Sequence, residues 1–80
     1  MNFLQLKYFL TICDYQSISK AALKLYISQS ALSQQLIHME HELDVQLFNR
    51  HGSTLTLTEA GRHFYESSHK ILFEFQNTQN

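Results

Sequence analysis

The 80-residue sequence contains no proline or tryptophan, one cysteine and two glycines. Because Gly52 and Gly61 are the only residues that strongly disfavour helices, the chain is predicted to be mostly helical. A single cysteine, Cys13, excludes an internal disulfide and a thiolate zinc site, and suits a reducing, cytoplasmic location. No apolar run approaches the roughly 18 residues of a membrane-spanning helix, and the first residues lack the pattern of a signal peptide.

Charge of either sign is also scarce. Six Lys and Arg residues against seven Asp and Glu residues give a formal net charge of −1. Since nucleic-acid-binding domains are usually basic, only the local placement of charge could support DNA binding. The hydrophobic content of 44% excludes a disordered chain, and the length predicts one domain with a thin core.

The spacing of apolar residues divides the sequence into four helices and one hairpin. Residues 54–57 alternate Thr and Leu, which is strand spacing, and "HGS" before them is predicted to form a tight turn. The predicted helices span residues 3–13, 18–25, 29–43 and 59 to beyond 72, fraying in "QNTQN", and the predicted strands span 46–49 and 54–57. The predicted helix N-caps are Ser17, Ser28 and Thr58.

The second and third predicted helices are joined by a short turn, "YIS", which is the spacing of a helix-turn-helix. Ala21 and Ala22 are small enough to let the two helices cross closely. The third helix has an apolar stripe on one side and, near its start, uncharged polar side chains on the other. Such a helix can enter the DNA major groove, where amides and hydroxyls distinguish bases and Ile37 can contact a thymine methyl.

An ordinary amphipathic helix gives the same spacing. A helical protein-interaction or dimerisation module without DNA binding therefore remains the alternative, and the low basic content permits it. Substitution of Gln29 or Gln34 would separate the two interpretations, because only the DNA-binding module would lose a sequence preference.

Four segments, "LQLKYFLTI", "SISKAALKLYISQSALSQQL", "LFNR" and "LTLTEAG", resemble in order and spacing the N-terminal winged helix-turn-helix domain of LysR-type bacterial transcriptional regulators. The resemblance spans residues 1 to about 72. It implies a mainly α fold with a three-helix core, a two-stranded β-hairpin wing and a long C-terminal linker helix. Residues 1–58 would form the DNA-binding domain and residues 59–80 the linker or dimerisation helix.

The resemblance also implies a function, namely sequence-specific binding of double-stranded DNA by a bacterial transcriptional regulator. The helix over about 29–43 would lie in the major groove, and the hairpin over about 46–57 would contact the flanking backbone or minor groove. The family's effector-binding domain is not among these 80 residues, so we expect the chain to be an isolated fragment. A small-molecule inducer would act only through that missing domain.

Individual roles follow by position. By the resemblance, the base-contacting positions are Gln29, Ser30, Ser33 and Gln34. Ile37 is added to them because it lies on the same open face of the helix. The resemblance places Ser28 and Lys20 near the DNA backbone, and it places Arg50, Ser53 and Thr54 on the wing.

Several departures from the family pattern weaken the expected binding. Ser30 stands where the family usually has proline, and Gln34 replaces a common arginine, which favours adenine over guanine. Ile37 and His38 occupy positions that are often basic, and the wing lacks a second cation. Since each lost phosphate contact removes about one unit of salt dependence, we expect weaker binding than in a typical member unless oligomer avidity compensates.

The last predicted helix has a broad apolar and aromatic stripe that one small core cannot fully cover. Its first half is expected to pack partly on the first helix, whereas the residues from Ser68 onward are expected to lie beyond the core. A symmetric homodimer through this helix would place two recognition helices on inverted-repeat half-sites about 34–36 Å apart. The predicted interface residues are Phe64, Ser68, Ile71, Leu72 and Phe75.

No catalytic, metal or cofactor site is predicted. His38 and His41 lie one helical turn apart, but two imidazoles without a third firm ligand are only weak evidence for a metal site. They are instead expected to face solvent, with His41 close enough to the DNA phosphates to strengthen binding when protonated. Cys13 lies on the apolar face of the first helix, where an inert thiol is expected. Gly61 is expected to allow a close backbone approach, and no membrane partner is expected.

Overall fold

The computed structural model describes residues 1–51 and 54–79 of the chain. In this part the element order is α1 (Phe3–Tyr15), α2 (Ile18–Leu25), α3 (Gln29–Leu43), β1 (Phe48–His51), β2 (Thr54–Leu57) and α4 (Glu59–Gln79). The predicted order of elements and the predicted winged helix-turn-helix fold are confirmed, and α2 and α3 have the predicted boundaries.

Side-chain hydrogen bonds fix where the helices begin. At α1 the Gln5 backbone N–H donates to Asn2 Oδ1 (2.9 Å) while the Asn2 N–H donates to Gln5 Oε1 (3.1 Å), which forms a capping box. The three predicted N-caps are confirmed, because each hydroxyl accepts from a backbone N–H three residues later: Lys20 to Ser17 at 3.2 Å, Ala31 to Ser28 at 3.0 Å and Gly61 to Thr58 at 2.9 Å.

The first three helices all end at a residue with left-handed backbone geometry. These residues are Gln16, Tyr26 and Asp44, with φ of 51°, 60° and 57°. Helix α1 ends at Tyr15, two residues later than predicted, because the turn is made at Gln16, whose N–H donates to the Ile12 carbonyl oxygen at 2.8 Å.

The core lies between α1, α2, α3, the base of the hairpin and α4. The Phe9 ring connects three elements, since it contacts Phe48 of β1 and Phe64 of α4 with centroid distances of 5.5 and 4.8 Å. Ala21 and Ala22 are buried at the crossing of α2 with its neighbours, as predicted. The largest fully buried apolar side chains are Phe9, Ile12, Leu32, Leu36, Met39 and Leu47.

The hairpin is antiparallel, with Phe48 opposite Leu57 and His51 opposite Thr54. The predicted first strand over residues 46–49 is wrong, because β1 begins two residues later. Gln46 and Leu47 make other hydrogen bonds: the Leu47 N–H donates to Glu40 Oε2 (2.7 Å), and Thr58 Oγ1 and N–H donate to the carbonyl oxygens of Gln46 (2.6 Å) and Leu47 (3.0 Å). The predicted "HGS" turn includes residues 52 and 53, which lie outside the described residues.

Gly61 allows a close backbone approach, as expected. It lies in the first turn of α4 against the segment that precedes β1. A Cβ atom at this position would overlap the Leu47 carbonyl oxygen and would lie 3.0 Å from both the Leu47 carbonyl carbon and Leu57 Cδ2. Only glycine therefore fits without displacing the backbone of residue 47.

Helix α4 packs along α1 further than predicted. Phe64 contacts Phe9, and eleven residues later Phe75 contacts Phe3 with a centroid distance of 4.5 Å. The expectation that residues from Ser68 onward lie beyond the core is wrong for Ser68, which is 0% exposed, and for Leu72, which is half-buried. The predicted fraying in "QNTQN" is also wrong as far as residue 79, because α4 continues to Gln79.

Candidate nucleic-acid interface

The amino-terminal end of α3 is held firmly while its outer face stays open. Leu32, Leu36 and Met39 are fully buried, which fixes the rotation of the helix. Ser28 caps the helix, and its Oγ atom lies 3.3 Å from Ser30 Oγ. The helix therefore presents its opposite face, beginning with its free N–H groups, to the surroundings.

The predicted base-contacting residues lie on this open face. Gln29, Ser30 and Gln34 are exposed, Ser33 is half-buried, and Ile37 is 44% exposed. An amide can both donate and accept, and a hydroxyl can do either, so these side chains can pair with the edges of bases. Ile37 adds an apolar group one to two turns further along.

The predicted backbone-contacting residues lie on α2, at the start of α3 and on both strands of the hairpin. Ser28 and Lys20 are exposed at the start of α3 and on α2, and Arg50 and Thr54 are exposed on β1 and β2. The hairpin is anchored through Phe48 and Leu55, which are buried. Ser53, also predicted on the wing, lies outside the described residues.

A net charge of −1 is unusual for a DNA-binding domain, but the charged residues are distributed unevenly along the chain. Residues 15–39 contain Lys20 and Lys24 but no Asp or Glu, so this segment carries a formal charge of +2. In residues 45–58 the only charged side chain is Arg50, which adds +1. Outside the last turns of α3, which contain Glu40 and Glu42, the helix-turn-helix and the hairpin therefore carry only positive fixed charge, and little of it. Lys24, which is exposed on α2, was not among the predicted contacts, and only its position in this acid-free stretch draws attention to it.

A second exposed surface lies where α1 meets α4. Ile71 and Phe75 are 45% and 41% exposed, and Phe3 and Leu4 of α1 lie beside them and are also exposed. We call these four residues the α1–α4 apolar face. Of the predicted interface residues, Phe64, Ser68 and Leu72 instead pack mainly within the chain. The part played by Phe3 and Leu4 was not predicted, because it depends on how α1 docks.

The remaining reactive side chains do not form a site in the described residues. No three His, Cys, Asp or Glu side chains there lie close enough together to hold a metal ion. Burial, together with the charge of Asp14, raises the pKa of Cys13 to about 12, so its thiol is protonated at neutral pH and is a poor nucleophile. None of the helices over the described ranges has the length and apolar character needed to cross a membrane.

Known proteins resemble this chain in sequence. Residues 3–62 match the family described as bacterial regulatory helix-turn-helix protein, lysR family. The nitrogen assimilation regulatory protein nac of Klebsiella aerogenes is 43% identical over 79 residues, which are 99% of this chain and 26% of the relative. The transcriptional regulator BenM of Acinetobacter baylyi is 39% identical over 72 residues, which are 90% of this chain and 24% of BenM. The chain thus spans about a quarter of these relatives.

Solved structures resemble it equally well. The CbnR DBD–DNA complex superposes with a TM-score of 0.92 at 33% identity, covering 99% of this chain and 91% of that one. The complex of the BenM DBD with catB site 1 DNA superposes with a TM-score of 0.93 at 36% identity, covering 98% of this chain and 84% of that one. Both similar proteins were solved with DNA bound.

Proposed function

The chain belongs to the lysR family of bacterial regulatory helix-turn-helix proteins, and we propose that it is the DNA-binding domain of a transcriptional regulator. In this proposal α3 enters the major groove and recognises a specific double-stranded sequence, while the hairpin contacts the flanking backbone or minor groove. The domain acts by binding and catalyses no reaction. Its place of action is the bacterial cytoplasm, on chromosomal DNA.

The observation that carries this proposal is the open face of α3. A helix that buries Leu32, Leu36 and Met39 completely, yet whose amino-terminal half exposes glutamine and serine, has side chains suited to base edges. The positive segment formed by residues 15–39 supports the same orientation, because phosphates would meet Lys20 and Lys24 and no acid. The DNA complexes of the similar CbnR and BenM domains support it independently.

Within this proposal each side chain has a chemical task. The two glutamine amides can each make a paired contact with adenine, Ser30 and Ser33 can donate or accept, and Ile37 can pack on a thymine methyl. These contacts distinguish sequences. Contacts with the backbone position the domain and add affinity, and for these we propose Ser28, Lys20, Arg50, Ser53 and Thr54.

Selection of bound sequences from a random duplex pool tests the proposal. We expect an enriched site, against which Gln34→Ala reduces discrimination at one base pair by roughly five- to 100-fold, the usual range for a paired contact. Gln76→Ala removes an exposed amide from the far end of α4 and is the matched control. Circular dichroism verifies that both variants fold. A pool that shows no enrichment would contradict DNA recognition.

The same experiment tests the alternative of a protein-interaction module. That alternative is favoured by one observation, the small number of fixed cations on α2, α3 and the hairpin. It predicts weak binding with no difference between sequences, and no effect of Gln29→Ala or Gln34→Ala on any duplex.

For assembly we propose a homodimer through α4, with the α1–α4 apolar face as its central contact. Large apolar side chains that are exposed together on a surface are typical of protein interfaces. A two-fold symmetric dimer would require a DNA site with inverted-repeat half-sites. Ile71→Lys should shift sedimentation toward the monomer, whereas Thr78→Lys, an exposed polar position on the same helix, should not. A wild-type monomer at high micromolar concentration would contradict this proposal. Any inducer would act through a domain outside these residues.

A further inference from the structure

The elements proposed to contact DNA carry as many exposed histidines as permanently charged cations. On α2, α3 and the two strands the permanently charged cations are Lys20, Lys24 and Arg50. The same elements carry three exposed histidines, which are His38, His41 and His51. Since histidine is the side chain whose charge changes between pH 5 and 8, protonation could double the positive charge of this surface.

The positions of these histidines place them near phosphates when α3 lies in a groove. His38 and His41 follow Gln29 by nine and twelve residues, which is about 14 to 18 Å along the helix axis. The major groove is about 12 Å wide, so a helix whose start meets base edges brings its later turns toward a flanking backbone. His51 ends β1 beside Arg50 and opposite Thr54, on the proposed wing.

Charged groups around the three imidazoles are few. On α3 itself they are Glu40, Glu42 and Asp44. Glu40 Oε2 already accepts from the Leu47 N–H, and Glu42 Oε2 already binds the Met1 amino group, both at 2.7 Å. The neighbouring elements contribute Lys7 and Asp14 on α1, Lys20 and Lys24 on α2, Arg50 beside His51, and Glu59 and Arg62 at the start of α4, which packs against β2. No acid comes from α2, β1 or β2.

We propose that His38, His41 and His51 contact DNA phosphates in their protonated form, so that DNA binding takes up protons. This rests on the proposed function, because the contacts exist only if α3 and the hairpin meet DNA. An imidazolium ion offers two N–H donors and a positive charge to a phosphate oxygen, whereas neutral imidazole offers one donor and no charge. Lower pH therefore strengthens binding, and bound DNA favours the protonated histidines by the same free energy.

The test measures the dissociation constant for the selected site between pH 8 and pH 5.5 at constant ionic strength. For each proton taken up on binding, affinity rises by up to about tenfold per unit decrease in pH. The slope of log affinity against log salt also becomes steeper at low pH, by about 0.9 for each added phosphate contact. His38→Gln/His41→Gln/His51→Gln should remove both effects.

A matched control is available on α4. His69 packs edge-to-face on Tyr65 with a centroid distance of 4.6 Å, away from the proposed contacts, so His69→Gln should retain the full pH effect. His38→Lys/His41→Lys/His51→Lys provides a second variant that keeps the charge at every pH. It should bind at pH 8 about as tightly as the wild-type chain binds at pH 5.5.

Affinity that does not change between pH 8 and pH 5.5 would overturn the inference, as would an equal rise in the triple glutamine variant. Either result leaves the proposed function standing if the wild-type chain still prefers its selected site. Loss of that preference at every pH would instead refute the proposed function itself. The two failures are therefore distinguished by measuring binding both to the selected site and to an unrelated duplex at each pH.

Discussion

Replacement of Gly61 by alanine tests the packing of α4 against the hairpin. On helix propensity alone this change should stabilise the protein by about 1 kcal/mol, since glycine is a poor residue inside a helix. The tertiary structure predicts the opposite sign. A Cβ atom would overlap the Leu47 carbonyl oxygen and would lie 3.0 Å from Leu57 Cδ2.

The magnitude can be worked from the contacts. Forcing an extra methyl group into a packed site costs about 1–3 kcal/mol. The Leu47 carbonyl also accepts the Thr58 N–H at 3.0 Å, and its displacement would weaken a hydrogen bond that contributes about 1 kcal/mol. After subtraction of the propensity gain, Gly61→Ala should lower the free energy of unfolding by about 1–3 kcal/mol. For a domain of this size that corresponds to a decrease in Tm of roughly 5–25 °C.

Urea denaturation followed by circular dichroism measures this change directly. Ser67→Ala, at an exposed position on the same helix, is the control; it should leave stability unchanged or raise it by up to about 0.5 kcal/mol. If Gly61→Ala is as stable as the wild-type chain or more stable, the proposed steric contact with residue 47 is wrong.

Two further predictions concern buried polar atoms. Ser68 is fully buried and its Oγ atom has no hydrogen-bond partner among the residues that the structure describes, so Ser68→Ala should raise the free energy of unfolding by about 1 kcal/mol. Reduced stability on urea denaturation would show that the hydroxyl has a favourable contact. The Cys13 thiol, with a pKa raised from 9.0 to about 12, should react with iodoacetamide at pH 8 much more slowly in the native chain than in urea. Because the unfolded thiol ionises first, Cys13 should also reduce stability as pH rises from 9 toward 12, a loss that Cys13→Ala removes.

The structure agrees with the sequence-based predictions for features that depend only on residues close in sequence. The boundaries of α2 and α3 follow from a capping serine at one end and an apolar stripe at helical spacing in between. The exposure of Gln34 follows from the same stripe, because it lies on the side of α3 opposite the buried Leu32 and Leu36, whereas Gln29 is exposed as the first residue of the helix. Their contact with bases remains a prediction until sequence selection tests it.

The errors occur where one segment depends on another that is distant in sequence. The first strand was predicted two residues too early because the Leu47 N–H donates to Glu40, seven residues away, and the Gln46 carbonyl accepts from Thr58, twelve residues away. Ser68 was expected to lie beyond the core because nothing local shows that the chain itself buries this side chain.

The sequence by itself determined the order of the elements, the caps of the helices and the rotation of α3. Each of these depends on groups within about one or two helical turns, and the physical reasons are hydrogen bonding of the first N–H groups and burial of one apolar stripe. Only the tertiary structure decided where β1 begins, why residue 61 must be glycine, and which α4 side chains stay exposed. These features are set by backbone atoms that approach each other from separate segments, and periodicity within a single segment carries no information about that approach.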